Sequence, residues 1–291
     1  MNRYIFIFFL SLFLNNPTIW AKTIVRHIPA ETEKDLRRDY YLQVLNLALE
    51  KTKPTHGDFE LQESKHTMYQ SRALKSLSEG KFIDIVWTMT SKQREQENYP
   101  IRVPLLKGLL GHRVFLIHKK DLHRFAQIKT VNDLKKLTAL QGHDWPDTQI
   151  LRKNNFHVKG VANYDQIFEI LNAGRYDFFP RGVNEPWDEL KARPKLLNLV
   201  IEPNLMLVYP APIYFFVNKK NAKLARRIKK GLDLAIEDGS FDKLFYDHPA
   251  IKKIFSESNL DKRTIFRIPN PLLTPQTPIS DKKYWFKIGK N

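Results

Sequence analysis

The sequence predicts an α/β protein with two lobes. Short apolar runs suited to β-strands alternate with segments whose apolar residues recur at helical spacing, and this alternation is typical of α/β folds. The run at 82–87 is mostly apolar, as in a strand covered on both faces of a sheet. With 291 residues, the chain is long enough for two domains.

The N-terminal segment, residues 1–21, is predicted to be a cleaved secretory signal peptide. Arg3 precedes an apolar run at 4–14, a polar break follows, and the segment ends at Ala21. A positive start, a short apolar core and a small last residue are the parts of such a peptide. The run is shorter than the roughly 20 apolar residues that span a bilayer. We therefore expect a periplasmic protein, with an uncleaved anchor as the alternative.

The composition excludes several classes of protein. The chain has no cysteine, which rules out disulfides, lipid attachment through a cysteine and a thiol nucleophile. It is basic, with 48 Lys and Arg against 31 Asp and Glu and a net charge of +17. A basic surface can attract nucleic acid, anionic envelope polymers or acidic ligands. The basic residues are spread along the chain without a zinc-finger spacing or a basic arm, so we expect no nucleic-acid binding.

The first unit begins with alternating strands and helices. Its predicted elements are a strand at 23–28, a helix at 34–51, a strand at 59–62, a helix at 71–79 and a strand at 82–87. Tyr40, Val44 and Leu47 recur at helical spacing in the first helix. Gly80 is placed to end the second helix, because glycine is the usual residue just beyond a helix C-terminus.

The second unit starts near Gly111 and repeats this alternation. Its predicted elements are a strand at 112–118, a helix from 130, a strand at 138–141, a helix at 146–154, a strand at 158–161, a helix at 163–174 and strands at 176–179 and 196–201. Thr130 and Asp133 have the spacing of a capping box. Pro146 suits the first turn of a helix, and Asn163 can cap the next one.

The last part of the chain holds the most regular helix. A β-rich stretch at 205–217, broken by Pro210 and Pro212, leads into it. The apolar face of this helix consists of Leu224, Ala225, Ile228, Leu232 and Ala235. Gly239 ends the helix, and a short successor follows. The proline-rich tail from Thr264 is predicted to be a strap rather than a domain.

One motif and the order of elements resemble a known family, the type II periplasmic solute-binding proteins, close to the group that binds polar amino acids. The motif lies in 85–95, where a strand ends in a small polar turn and Thr90 precedes Arg94 by four residues. The resemblance covers nearly all of 22–260. It implies two lobes joined by two hinge crossovers, with the ligand between them near strand ends, where open α/β sheets bind ligands.

The resemblance also implies the domain boundaries and the partners. Lobe 1 is expected at 22–110, an inserted lobe 2 at 111–213, and the return to lobe 1 with the strap at 214–291. The expected function is reversible binding of a small polar solute, accompanied by hinge closure. The protein is expected to be a monomer that serves a membrane permease or the periplasmic domain of a sensor.

Two departures from the family pattern concern the ligand. The amino-acid binders place an acidic residue just after the strand that corresponds to 176–179, where it holds the ammonium group of the ligand. Here Arg181 stands near that place, and Glu185 follows it. The Gly-Thr/Ser turn of the family is replaced by 142–148. A plain α-amino acid is therefore not the expected ligand, and we predict an anionic solute.

Arg94 is the strongest candidate for contact with the ligand. A guanidinium is a planar fork that pairs with a carboxylate through two parallel hydrogen bonds, as a lysine cannot. The alternative is a surface arginine paired with Glu95 or Glu97. Arg181 is the second candidate, because it follows a predicted strand end and precedes a glycine. Together, the two arginines are predicted to clamp an acidic ligand from opposite lobes.

Further candidates lie at the predicted strand and helix ends around the cleft. Arg181 has an alternative of its own, a salt bridge to Glu185 or Asp188. The remaining ligand-binding candidates are Trp87, Thr88, Thr90, Trp145, His143, Gln70, Arg72 and Glu185. The tryptophans offer flat apolar surfaces, and the hydroxyl, amide and charged groups offer hydrogen bonds.

The sequence contains no recognisable catalytic or metal-binding motif. A Gly-x-Ser-x-Gly elbow, a Walker loop and a His-Glu-x-x-His pair are absent, and the nine histidines lack metal-ligand spacing. We therefore expect no catalytic residue, metal or cofactor. Two alternatives stay open. One is a dehydratase- or lyase-type enzyme with Glu185 or Asp144 as the acid, and the other is a module that binds an anionic envelope polymer.

Overall fold

The computed structural model describes residues 22–29, 36–66, 68 and 70–287. The predicted signal peptide, residues 1–21, lies outside the described residues. Within the described ranges, no helix combines the length and the apolar character needed to cross a membrane.

The first unit is built on two small sheets. The parallel pair β1 (Thr23–His27) and β2 (Phe59–Glu63) forms one sheet. The other has the order β3 (Ile85–Met89), β11 (Ile213–Val217) and β4 (Tyr99–Ile101), with β11 antiparallel to both neighbours. Arg26 joins the two sheets, because its carbonyl accepts the N–H of Asp84 at 2.8 Å and its guanidinium binds the Asp84 carboxylate at 2.9 Å.

Six helices surround these sheets in the described residues. They are α1 (Leu36–His56), α2 (Gln70–Glu79), α3 (Lys92–Glu97), α9 (Ala222–Glu237), α10 (Ser240–Asp247) and α11 (Pro249–Glu257). The predicted apolar face of α9 is confirmed, since all five of its residues are buried. A Cβ at Gly231 would lie 1.8 Å from the carbonyl oxygen of Ala48, so only glycine allows α9 to approach α1 this closely.

The second unit is built on one larger sheet. Its described strands have the order β12-β10-β5-β8-β6-β7, and β9 also pairs with β5. The strands are β5 (His112–His118), β6 (Thr138–Gly142), β7 (His157–Val161), β8 (Phe178–Gly182), β9 (Leu199–Ile201), β10 (Leu205–Val208) and β12 (Thr264–Arg267). Its helices are α4 (Leu122–Ala126), α5 (Val131–Lys135), α6 (Pro146–Lys153), α7 (Tyr164–Asn172) and α8 (Pro186–Lys191).

Several element boundaries differ from the predicted ones. The strand predicted from 82 begins at Ile85, because Phe82 has a left-handed φ of 61° and is exposed in the turn after α2. The strand predicted to end at 179 continues through Arg181 to Gly182, paired with β5. The capping box of α5 is present as predicted, since Thr130 and Asp133 each accept a backbone N–H of the other. In β8, hydrogen bonding to β5 extends the strand beyond the end that the local apolar pattern predicted.

The chain passes between the two units at two places that touch each other. One crossing joins β4 to β5, and the other joins β10 to β11. At their contact the N–H of Tyr209 donates to the carbonyl of Gly111 at 3.1 Å. A Cβ at Gly111 would lie 1.9 Å from the carbonyl oxygen of Tyr209. The crossings therefore need a glycine at this point.

The tail differs from the expectation that everything after 213 returns to the first unit. Helices α9, α10 and α11 do so, but β12 pairs in parallel with β10 of the larger sheet. The outer edge of β10 would otherwise leave N–H and C=O groups without partners, and β12 satisfies them. The chain thus connects the two units a third time.

His112, the first residue of β5, is expected to make the stability depend on pH. Burial lowers the pKa of its imidazole from 6.5 to about 4. The unfolded chain therefore binds a proton in this window that the folded chain does not, and stability falls as the pH drops. We expect a loss of about 3 kcal/mol from this group by about pH 4. Urea unfolding measured from neutral to acid pH should show this loss of stability in the wild type and not in His112→Leu. An unchanged pH dependence in His112→Leu would contradict it.

Candidate functional site

Arg94 lies where β3, α2 and α3 of the first unit meet. The hydroxyl of Ser91 caps α3 by accepting the N–H of Arg94 at 3.2 Å. The buried guanidinium donates to the hydroxyl of Thr88 at 2.7 Å, to the carbonyl of Met89 at 2.9 Å and to the side-chain oxygen of Gln70 at 2.6 Å. The structure thus brings together three of the predicted site residues, Arg94, Thr88 and Gln70.

Burial and nearby carboxylates act on the charge of Arg94 in opposite directions. Burial lowers the pKa of its guanidinium to about 10, and the carboxylates of Asp147, Asp144 and Glu97 act against this. The first two acids follow β6 in the second unit, Asp144 in the loop and Asp147 in the first turn of α6. Arg94 therefore stays a cation at neutral pH.

Glu95 does not form the surface pair that was the alternative interpretation of Arg94. Its carboxylate accepts the hydroxyl of Thr90 at 2.6 Å and the guanidinium of Arg102 at 2.6 Å. The side chain of Glu95 is only 4% exposed. Thr90, a predicted ligand contact, is fully buried and bound to Glu95. It therefore anchors α3 to the end of β3.

The other candidates of the first unit lie in different surroundings. Trp87 is half-buried and stacks on Tyr41 of α1, with ring centroids 5.5 Å apart and an interplanar angle of 24°. It packs against the core that includes Ile85 and Met89, on the face of β3 opposite to that of Thr88. Arg72 is exposed on α2. His143, a candidate of the second unit, is exposed on the loop after β6.

Arg181 does not extend into the cleft as an unpaired cation. Its guanidinium binds the Glu189 carboxylate at 2.9 and 2.5 Å and the Glu185 carboxylate at 2.8 Å. Burial opposes the charge, but the two carboxylates outweigh it and raise the pKa of Arg181. Burial likewise disfavours the Glu189 carboxylate, while Arg181 lowers its pKa. Of the two partners given in the alternative interpretation, Glu185 binds Arg181, whereas Asp188 pairs with Lys253 and Glu189 takes its place.

This arrangement corrects the predicted clamp of two opposing arginines. The clamp required the charge of Arg181 to be available to an acidic ligand, and two carboxylates of its own unit already balance that charge. Aromatic rings complete the enclosure, since the Arg181 guanidinium carbon lies 4.9 Å from the Trp145 ring and 4.8 Å from the Phe179 ring. Trp145 therefore covers an internal ion pair.

A second ion pair, which the sequence analysis missed, lies beside the first. Arg113 of β5 is buried and lies 2.6 Å from the Asp147 carboxylate. The hydroxyl of Tyr209, in the second crossing, also donates to Asp147. Glu185 lies between the two pairs, 3.6 Å from Arg113. One signal was present in the sequence, because an arginine inside an apolar strand needs a buried partner.

The charges around the cleft balance one another. The three arginines at 94, 113 and 181 stand against the three carboxylates of Asp147, Glu185 and Glu189. A neutral set of this kind offers no excess of positive charge for a ligand with two acidic groups.

A crevice between the units is lined in part by Tyr41, on which Trp87 stacks. Its lining includes Tyr41, Leu106, Asn184 and Trp187. The side-chain oxygen of Asn184 is buried and has no hydrogen-bond partner in the described residues. Two ion pairs cross the crevice, Arg37 with Glu189 at 3.8 Å and Lys253 with Asp188. Both pairs join the first unit to the second.

The acids considered for the enzymatic alternative lie in two different surroundings. No group of three or more His, Asp or Glu in the described residues is placed to hold a metal ion. Glu185, the acid of the enzymatic alternative, is bound to Arg181 and also accepts the N–H of Gly182 at 2.7 Å. Asp144, the other acid considered, lies on the exposed loop after β6.

Solved structures of binding proteins share this architecture. The sequence matches no protein-family model and no curated protein. The probable amino-acid ABC transporter extracellular-binding protein ytmK from Bacillus subtilis is 18% identical, with a TM-score of 0.57 over 80% of this chain and 100% of that chain. An ancestral arginine-binding protein bound to arginine is 20% identical, with a TM-score of 0.55 over 78% of this chain and 99% of that one.

A third similar structure belongs to a receptor rather than a transport protein. It is a histidine kinase sensor domain with similarity to periplasmic binding proteins, 13% identical, with a TM-score of 0.54 over 79% of this chain and 96% of that chain. These likenesses show the fold. The chain has the two-lobed type II periplasmic-binding fold that the motif and the element order predicted.

Proposed function

We propose that this chain is a periplasmic binding protein that reversibly holds a small polar solute with one carboxylate between its two units. The observation that carries the proposal is the buried, pre-oriented guanidinium of Arg94. Its three hydrogen bonds to Thr88, Met89 and Gln70 use three of the five N–H donors of an arginine. Donors therefore remain for a carboxylate.

The surroundings of Arg94 favour a ligand with a single acidic group. Of the two acids of the second unit that favour the charge of Arg94, Asp147 is already bound to Arg113 and Tyr209. Asp144 is exposed on the β6–α6 loop, and it is the acid proposed to attract a donor or a cationic group at the other end of the ligand. Tyr41, on which Trp87 stacks, supplies part of the apolar lining of the crevice between the units. Binding sites of this kind combine apolar walls with a few placed polar groups.

Binding is proposed to proceed by closure of the two units. A ligand shifts the equilibrium toward the closed form only through its higher affinity for that form. A carboxylate that touches Arg94 and a second group that touches the β6–α6 loop would contact both units at once. The proposed partner is a membrane permease or the periplasmic domain of a sensor, and the proposed assembly state is a monomer.

A thermal-shift screen of the purified protein tests the proposal. The compounds are free amino acids, short peptides, dicarboxylates and neutral or cationic analogues without a carboxylate. At a hundred times its Kd, a bound compound adds about 2.7 kcal/mol, which raises Tm by roughly 5–10 °C. We expect such a shift from monocarboxylate compounds and a weaker one from their amides. Stabilisation by compounds without a carboxylate only, or chemical conversion of a bound compound, would overturn the proposal.

A further inference from the structure

The C-terminal segment touches the second unit and then the second crossing. Beyond β12 the chain leaves the larger sheet. The side-chain amide of Asn154, which directly follows α6, donates to the carbonyl of Pro269 at 2.9 Å. The side-chain amide of Asn270 then donates to the carbonyl of Pro210 at 2.7 Å. Pro210 belongs to the crossing that joins β10 to β11. The segment is thus bound to one unit and to the hinge at its start.

The same segment next reaches the helix that carries Arg94. The carbonyl of Leu272 accepts the N–H of Lys92, the first residue of α3, at 2.9 Å. This N–H is one of the four that a helix start leaves without an internal partner. The hydroxyl of Thr274 donates to the buried carboxylate of Glu95 at 3.1 Å. The position of α3 therefore depends partly on the C-terminal segment.

The segment ends on the first crossing. The N–H of Phe286 donates to the carbonyl of Lys107 at 2.7 Å. The ring of Trp285 covers Gly108 so closely that a Cβ there would lie 2.5 Å from it. Lys107 and Gly108 both have left-handed backbone, with φ of 47° and 80°. Trp285 and Phe286 therefore hold a turn with left-handed backbone in the first crossing.

We propose that residues 268–286 form a hinge strap, a further connection that limits the opening of the two units and holds α3, the helix that carries Arg94. The role of Arg94 in this inference rests on the proposed function. The strap is bonded in turn to the second unit, the second crossing, α3 and the first crossing. Opening of the units at Gly111 and Tyr209 would pull on these bonds.

The composition of the strap suits this role. Four prolines, at 269, 271, 275 and 278, restrict the backbone of a segment that has little regular structure of its own. A restricted segment transmits displacement from one end to the other better than a flexible one, and it loses less entropy when it is ordered. The hydrogen bonds of Asn270 and Thr274 then fix it to the hinge and to α3.

The first test measures the opening of the ligand-free protein, so it does not depend on knowing the ligand. The chain has no cysteine, so Lys75→Cys in α2 and Gln149→Cys in α6 can carry a pair of fluorophores on exposed positions of the two units. Asn270→Ala removes the hydrogen bonds of this side chain to Pro210 and Leu272, and Thr274→Val removes the one to Glu95. We expect each change to increase the ratio of open to closed molecules at least about fivefold, the effect of losing one hydrogen bond. Thr264→Val, an exposed threonine of β12, is the matched control.

The second test follows the position of Arg94 directly. The Nε–H signal of Arg94, assigned through its loss in Arg94→Lys, should shift in Thr274→Val and return in Thr274→Ser, which restores the hydroxyl. Unchanged fluorophore distances and an unchanged Arg94 signal in both strap variants would overturn the inference. Equal effects in Thr264→Val would do the same. If no carboxylate compound binds, the proposed function fails, while the opening measured in the first test still decides the strap.

Discussion

Replacing Arg181 with leucine is expected to lower the free energy of unfolding by about 3–5 kcal/mol, the usual cost of removing one partner from a buried ion pair. The change leaves the carboxylate of Glu189, whose side chain is 3% exposed, without its main counter-charge. Tyr164 still donates to it at 2.5 Å, but Arg37 approaches only to 3.8 Å. Chemical unfolding of the two proteins measures the difference.

Arg175→Leu is the matched control for this change. Arg175 follows Gly174 on the surface of the second unit and is exposed, so its loss should change the stability little. The double variant Arg181→Leu/Glu189→Leu should recover part of the lost stability, because it removes both buried charges together. Equal stability of Arg181→Leu and wild type would show that the pair contributes nothing to the folded state.

Replacing Arg94 with alanine is expected to weaken binding of the carboxylate compound selected by the thermal-shift screen at least tenfold. Truncating one partner of a buried, hydrogen-bonded charge pair costs about 2–5 kcal/mol. Arg94→Lys keeps the charge but loses the planar fork, so we expect an intermediate loss. Titration calorimetry on the three proteins measures these affinities.

The control for Arg94 is Lys229→Ala. Lys229 lies on α9, and its side chain is 42% exposed and paired with Asp233. Its loss removes one positive charge from the protein without touching the cleft. Wild-type affinity in Arg94→Ala, or an equal loss in Lys229→Ala, would show that the carboxylate does not bind Arg94. The fold assignment would be unaffected by that result.

Much of the fold could be predicted from local patterns. The apolar face of α9, the capping box at Thr130 and the strand β5 after the first crossing depend on residues near one another in the chain. Periodicity and capping act over a few residues, so a single sequence contains them. Arg94, Thr88 and Gln70 were each chosen from the sequence as candidates, and the structure brings these three side chains together.

The partners of the charged residues could not be predicted in this way. The sequence offered Glu185 and Asp188 as partners of Arg181, because they are close in the chain. The structure adds Glu189, which α8 places next to β8. Glu189 in turn accepts the hydroxyl of Tyr164 from α7. Arg113 meets Asp147 for a similar reason, since β5 and the start of α6 come together only in the folded unit.

The sequence by itself determined the class of fold, the order of most of its elements and the choice of Arg94 as a candidate. Only the tertiary structure decided that Arg181 is balanced within its own unit, and that the tail joins the larger sheet before it crosses to α3. The physical reason is the distance along the chain over which each kind of interaction acts. Backbone propensity and apolar periodicity are local, whereas a buried charge or an open strand edge takes whichever partner the complete fold brings near it.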